Sequence, residues 1–188
     1  TREQGLGTRT GVLPSIFGLR EFHGVDGVPE QSTYPTVTDR SIIPTPPVVA
    51  ARLPGCGDEV LRVEYIAVAL DFPGAVSTNY FTLPACAALA EADFGHNIYA
   101  FLANGGITLS ASEFLIGAAE ADPYTAARLK AEPGTALLTL EQIMYGADGA
   151  PICFSTVAQR GDRVRFFART GPAAPPVAEP ADRPSIPA

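Results

Sequence analysis

The strongest pattern in the chain is the alternation of apolar and polar positions. Apolar side chains alternate or run together from Val60 to Leu70, and the pattern returns from Val76 to Leu83. Between them lies Asp71-Phe72-Pro73-Gly74, where proline and glycine supply turn geometry, so the pair predicts a β-hairpin. Upstream, Thr33 to Ile43 is rich in β-branched residues and reads as a strand, made irregular by Pro35 and Pro44, which lack ladder donors. A proline-rich turn and a short Val48-to-Leu53 segment join it to the hairpin. Three further strands are predicted at Ala136 to Tyr145, Pro151 to Ala158 and Val164 to Arg169. Ala147-Asp148-Gly149 and Arg160-Gly161-Asp162 connect them, and Asp-Gly between alternating segments is a strong hairpin signal.

Helical spacing is confined to short segments. Pro14 to His23 predicts a helix, with proline at an early position, Ile16, Leu19 and Phe22 at three-residue steps, and Gly24 as its end. Pro84 to Ala90 and Ile98 to Ala103 read as two more, the second closing at Asn104-Gly105-Gly106, where a left-handed cap fits. Ile107 to Ala119 reads as a strand. Asp122-Pro123 then opens a helix over Tyr124 to Lys130, an acceptor at the N-cap followed by proline at the first helical position. Helices inserted between hairpins predict an α+β fold, an antiparallel sheet with helices on one side.

Composition narrows the function classes. With 46% hydrophobic and 18% charged residues in 188, the chain is globular and large enough for one domain with a real core. No apolar run approaches the roughly 20 residues that span a bilayer, so no membrane association is expected and the reading is cytoplasmic. A net charge of -7, with Lys130 the only lysine, argues against direct contact with nucleic acid, whose phosphates demand clustered cations. Cys56, Cys86 and Cys153 are odd in number and widely spaced, which suits free thiols, and His23 and His96 are too few to build a zinc site. Neither a cofactor nor a metal is implied.

Four phrases carry a resemblance. They are Asn97-Ile98-Tyr99-Ala100-Phe101-Leu102 followed by Gly106-Ile107, Pro133-Gly134-Thr135-Ala136-Leu137-Leu138, Asp148-Gly149-Ala150-Pro151-Ile152, and Arg160-Gly161-Asp162-Arg163-Val164-Arg165-Phe166. In this order and spacing they resemble the recurring elements of the UTRA effector-binding domain of GntR-superfamily regulators, HutC subfamily. The resemblance covers about residues 13 to 170. Gln4-Gly5-Leu6-Gly7-Thr8 is similar to the tip of the winged-helix wing that precedes this domain in the family, so residues 1–12 are expected to be a wing remnant and linker. Residues 171–188, rich in proline, are expected to be a disordered tail.

The resemblance implies a chorismate-lyase-like fold, a homodimer, a small-molecule effector, and DNA contact only through an N-terminal winged helix-turn-helix outside this chain. It also implies a pocket. Members that sense phosphorylated amino sugars line theirs with two strand arginines, a helix-start serine, and a glutamate and a tyrosine on the penultimate strand. The corresponding positions here hold Tyr65 and Ala67, then Asn97, then Cys153 and Gln159, while Gly18 and Leu19 stand where backbone amides reach the ligand. Without the arginines an anionic group loses partners worth roughly 1.5–3 kcal/mol each, so the expected effector is neutral or weakly acidic and not a phosphosugar, with Arg20 or His23 the residues left to supply charge near the amino end. Each residue also has a purely structural reading: Tyr65 as a packing aromatic, Cys153 as a small core residue, Asn97 as a helix cap, Arg160 and Asp162 as a turn ion pair.

Two other functions compete with this reading. A chorismate-lyase-like enzyme, eliminating pyruvate, needs arginines and a carboxylic acid where Cys153 now stands. A reactive thiol at Cys153 needs a basic neighbour, and Ile152 and Phe154 are not basic.

Overall fold

A computed structural model of the chain describes residues 15–18, 33–69 and 72–167. The expected wing remnant, Leu19 and the proline-rich tail lie outside these described residues. The elements run β1 (Ser15–Gly18), β2 (Thr33–Pro44), α1 (Pro47–Arg52), β3 (Glu59–Ala69), β4 (Phe72–Thr82), a 3-10 turn at Ala87–Ala90, α2 (Ile98–Asn104), β5 (Leu109–Glu120), α3 (Pro123–Arg128), β6 (Ala136–Gly146), β7 (Pro151–Arg160) and β8 (Val164–Phe167). Six strands form an antiparallel sheet in the order β2-β3-β4-β7-β6-β5, and β1 pairs with β8 in a separate parallel ribbon.

The alternating segments become strands almost where the sequence places them. Two details differ. Ser15–Gly18 is a strand rather than part of a helix. Three apolar residues at three-residue steps cannot distinguish the two periods over so short a stretch, and β8 supplies the ladder. The β3–β4 hairpin turns earlier than expected, because β4 already begins at Phe72. Pro73 and Gly74 lie inside the strand, where a register shift leaves Gly74 unpaired between Val68↔Pro73 and Ala67↔Ala75. Pro35 is tolerated because β2 is an edge.

Register sorts the side chains into two faces. Residues directly across an antiparallel pair share a face, so Leu61, Phe81, Cys153 and Met144 form one row. Val63, Asn79, Ser155 and Gln142 form the next, Tyr65, Ser77, Val157 and Leu140 a third, and Ala67, Ala75, Gln159 and Leu138 a fourth. This inner face is covered by the 3-10 turn and α2, through Leu89, Phe94, Ile98, Phe101 and Leu102. The reverse face carries Val60 and Phe154 under α1, through Val49 and Leu53, and Leu137 under α3, through Ala126 and Leu129. The α+β antiparallel class therefore holds, with helices on both faces rather than one. Val60 and Leu61 are each buried and point opposite ways, so a sheet with two apolar faces must be covered twice.

The caps follow local chemistry. Asp122 accepts hydrogen bonds from Thr125 N at 2.8 Å and Thr125 Oγ1 at 2.9 Å, which opens α3 as the sequence predicts. Gly106 follows α2 at φ 75°, a conformation that favours glycine. At the β7–β8 turn Arg160 donates twice to Asp162, at 2.8 and 3.0 Å, the expected structural pair.

Candidate functional site

The inner face is apolar at one end and polar in its middle. Asn79, 1% exposed, donates through Nδ2 to Val63 O and to Ser77 Oγ, each at 3.1 Å. Its Oδ1 accepts from Ser155 Oγ at 2.7 Å, and Ser155 in turn lies 3.4 Å from Cys153 Sγ. Tyr65 hydrogen-bonds Ser77, which joins the first hairpin to the same chain of contacts. A separate set of contacts runs from Gln142 Nε2, which donates to Tyr99 OH at 3.3 Å and Ser112 Oγ at 3.2 Å, linking α2 to β6 and β5. Among the described residues every buried polar side chain is uncharged: Ser77, Asn79, Thr82, Gln142, Ser155 and Gln159.

Electrostatics keeps the network neutral. Burial pushes the phenols of Tyr65 and Tyr99 up, opposed in part by the hydrogen bonds to Ser77 and Gln142. Burial likewise pushes the Cys153 thiol far above its ordinary value and the Cys86 thiol to about 11. These thiols are protonated near neutral pH, the opposite of what a nucleophile requires. Arg40 reaches the inner face from β2, but its guanidinium is engaged: Nη1 donates to Ala92 O at 2.8 Å and Ala90 O at 3.2 Å, over the Phe101 ring at 5.1 Å.

The structure brings several of the sequence-selected residues together. Tyr65, Ala67, Cys153 and Gln159 all share the inner face. Cys153 is near enough to Tyr65 to raise the phenol's pKa, a contribution smaller than that of burial, and Gln159 is 6% exposed in the row of Ala67. Asn97 stands apart from the network, as the N-cap of α2, accepting from Ala100 N at 2.8 Å. Gly18 lies in the β1–β8 ribbon, paired with Phe167. Leu19 is outside the described residues.

Sequence reasoning missed Ser77, Asn79, Tyr99, Gln142 and Ser155. The available signal was parity in β4, where Ser77 and Asn79 share a face with Phe81 rather than with Val76 and Tyr80. Asn97→Ala is expected to cost about 1 kcal/mol by removing the cap, and to lower Tm by about 2–4 °C, with Asn97→Ser recovering most of it. Calorimetry on the two variants checks this, and an unshifted Asn97→Ala would remove its capping role.

The reverse face has a half-open groove of about 390 Å³ between α3 and the sheet, lined in part by Glu64, Thr78, Arg128, Glu141 and Thr156. Its carboxylates are already matched: Glu64 Oε2 lies 3.5 Å from Arg128 Nη1, and Glu141 Oε2 lies 2.7 Å from Arg52 Nη2. None of the sequence-selected residues lines it.

An antiparallel sheet with short helices packed on it is what the four phrases lead one to expect. The UTRA domain family matches residues 35–165. The chain belongs to the UTRA domain family. The effector domain of PhnF from Mycobacterium smegmatis is 25% identical, with a TM-score of 0.67, covering 75% of this chain and 88% of that one. A longer PhnF structure from the same organism gives the same identity and TM-score, covering 74% of this chain, which spans 63% of its length. A candidate transcriptional regulator from Streptomyces coelicolor is 27% identical at a TM-score of 0.61, covering 69% and 87%. A GntR-family regulator from Enterococcus faecalis V583, 20% identical with a TM-score of 0.62 over 72% and 99%, shares the fold. Comparison with curated proteins finds no match. The UTRA domain is thus a ligand-sensing regulatory domain with the chorismate-lyase-like fold, and the lyase alternative is not favoured. No helix among the described residues is long and apolar enough to cross a membrane.

Proposed function

We propose that this UTRA domain senses an uncharged small molecule on the inner face of its sheet and reports it, through a homodimer, to a winged helix-turn-helix that reads DNA in the cytoplasm. The supporting observation is the neutrality of the buried polar set. Tyr65, Ser77, Asn79, Tyr99, Gln142, Ser155 and Gln159 offer donors and acceptors, and among the described residues no buried cation stands beside them for a phosphate or carboxylate. Such a site favours hydroxyls, amides and ring edges, whose hydrogen bonds need no compensating charge. Of the sequence-selected set, Tyr65, Ala67, Cys153 and Gln159 share the inner face and are assigned as ligand-facing; Gly18, Leu19 and Asn97 are assigned to the ligand by resemblance alone.

The readout is a population shift between dimer arrangements. A coupling of about 1–3 kcal/mol changes operator affinity from several-fold to about a hundredfold. Catalysis is not part of this reading, since Cys153 occupies the place of the required acid and its thiol is held protonated. Pyruvate released from chorismate by the purified chain would overturn that.

A thermal-shift screen of metabolites tests the ligand class. Neutral molecules at 100 times their Kd are expected to stabilise the chain by about 2.7 kcal/mol, and glucosamine 6-phosphate to leave it unmoved. Stabilisation by phosphosugars alone would sink the neutral-effector reading.

A further inference from the structure

The groove on the reverse face has a floor laid out by strand register. Glu64, Thr78, Thr156 and Glu141 stand across from one another on β3, β4, β7 and β6, so they form one polar row. The next row holds Val76, Ala158 and Thr139, and α3 walls the groove with Tyr124 and Arg128. The charges along the floor balance, but the hydrogen bonds do not. Arg128 Nη2 donates to Thr38 Oγ1 at 2.6 Å and its Nη1 to Tyr124 OH, both neutral oxygens. Among the described residues Glu64 receives two long contacts, from Arg128 Nη1 at 3.5 Å on Oε2 and from Thr78 Oγ1 at 3.5 Å on Oε1. A charge-assisted bond to a carboxylate runs to about 2.7–2.9 Å, so the nearest cation gives its short bonds elsewhere and leaves Glu64 under-filled. At the far end Arg52 Nη2 already lies 2.7 Å from Glu141 Oε2.

We propose that this groove is a second ligand site, across the sheet from the effector face, for a small aliphatic primary amine whose ammonium sits on Glu64. An ammonium brings three donors and no acceptor, which is what a row of carboxylate and threonine oxygens takes. The amine's chain lies along Val76 and Ala158 beside the Tyr124 ring, which is 66% exposed and gains cover from it. The volume of about 390 Å³ is ample for such a molecule. An anion would meet Glu64 and Glu141 and find Arg128 already engaged. A polyamine would bring a second charge to a row whose far carboxylate Arg52 holds, so the ligand is a monocation. The inference stands apart from the effector reading, because Glu64, Thr78 and Thr156 share no face with Tyr65, Ser77 and Ser155. Both sets alternate along β3, β4 and β7, so a molecule in the groove touches the strands that carry the effector face.

Titrating the isotope-labelled full chain with hexylamine, hexanol and hexanoate near neutral pH, followed by NMR, decides the matter. Hexylamine is expected to give saturable shifts at Thr78, Thr156 and Ala158 with a Kd of about 1 mM or tighter. Hexanol is expected to bind there at least tenfold more weakly, and hexanoate not to saturate. Glu64→Gln is expected to weaken hexylamine at least tenfold and to leave hexanol unchanged, a split that a general loss of packing would not produce. Thr156→Phe, a substitution at an exposed position of the floor, is expected to block hexylamine by filling the groove, and it serves as the test if Glu64→Gln does not fold. Absence of saturable shifts with hexylamine, or shifts confined to the inner face, overturns the site. Equal binding of hexanol, tighter binding of hexanoate, or hexylamine affinity undiminished in Glu64→Gln overturns the amine. Undiminished affinity in Thr156→Phe overturns both.

Discussion

Phe101→Ala is expected to remove about 3–5 kcal/mol of stability and to lower the melting midpoint by about 10 °C. The reason is position. Phe101 is fully buried, stacked on Phe94 with ring centroids 4.8 Å apart and edge-on to Phe81 at 5.9 Å, beneath the Arg40 guanidinium at 5.1 Å. Those neighbours come from β2, β4 and the loop before α2, so the cavity cannot close by moving one side chain. Arg40 also holds the carbonyls of Ala90 and Ala92, and it would lose its platform. Urea unfolding against Phe72→Ala, a site 49% exposed, supplies the control, whose loss is expected within about 0.5 kcal/mol. A Phe101→Ala loss under about 1 kcal/mol would mean the inner face is not packed as described.

Asn79→Asp is expected to be nearly as damaging, by about 3–5 kcal/mol at neutral pH, for electrostatic reasons. The substitution deletes the donor that serves Val63 O and Ser77 Oγ and places a carboxylate in a site 1% exposed with no cation to meet it. Burial raises the introduced group's folded pKa above its unfolded value near 3.9, so its proton favours the folded state. The deficit is therefore greatest above the raised pKa and shrinks as the pH falls toward 4. Asn79→Leu carries no such titration, and its deficit is expected to be flat over the same range. Parallel pH profiles for the two variants would contradict a neutral interior.

Legibility differed by kind of information. Strand positions were readable because alternation is a local property, and so were the Asp122 cap, the Asp148-Gly149 turn and the Arg160–Asp162 pair, each a contact between near neighbours in the chain. The Ser15–Gly18 strand reads locally as helix because its partner β8 lies about 150 residues away, and Ile16 and Phe17 between Ser15 and Gly18 are too few to set a period. The β3–β4 turn was misplaced because Pro73-Gly74 can serve a bulge as well as a turn, and only pairing with Ala67 and Val68 chooses between them.

The sequence by itself determined the α+β class, the order of the elements and, through four spaced phrases, the UTRA family. By resemblance it also implies that Tyr65 and Ala67 stand where phosphosugar sensors carry arginines. Tertiary structure alone decided which parity of each strand faces inward, and hence that Ser77, Asn79, Gln142 and Ser155 lie buried on the inner face while Val76, Tyr80 and Thr156 do not. The physical reason is that a strand's two faces differ by a single residue of register. Register is fixed by pairings between segments far apart in the chain, and a local pattern carries no trace of them.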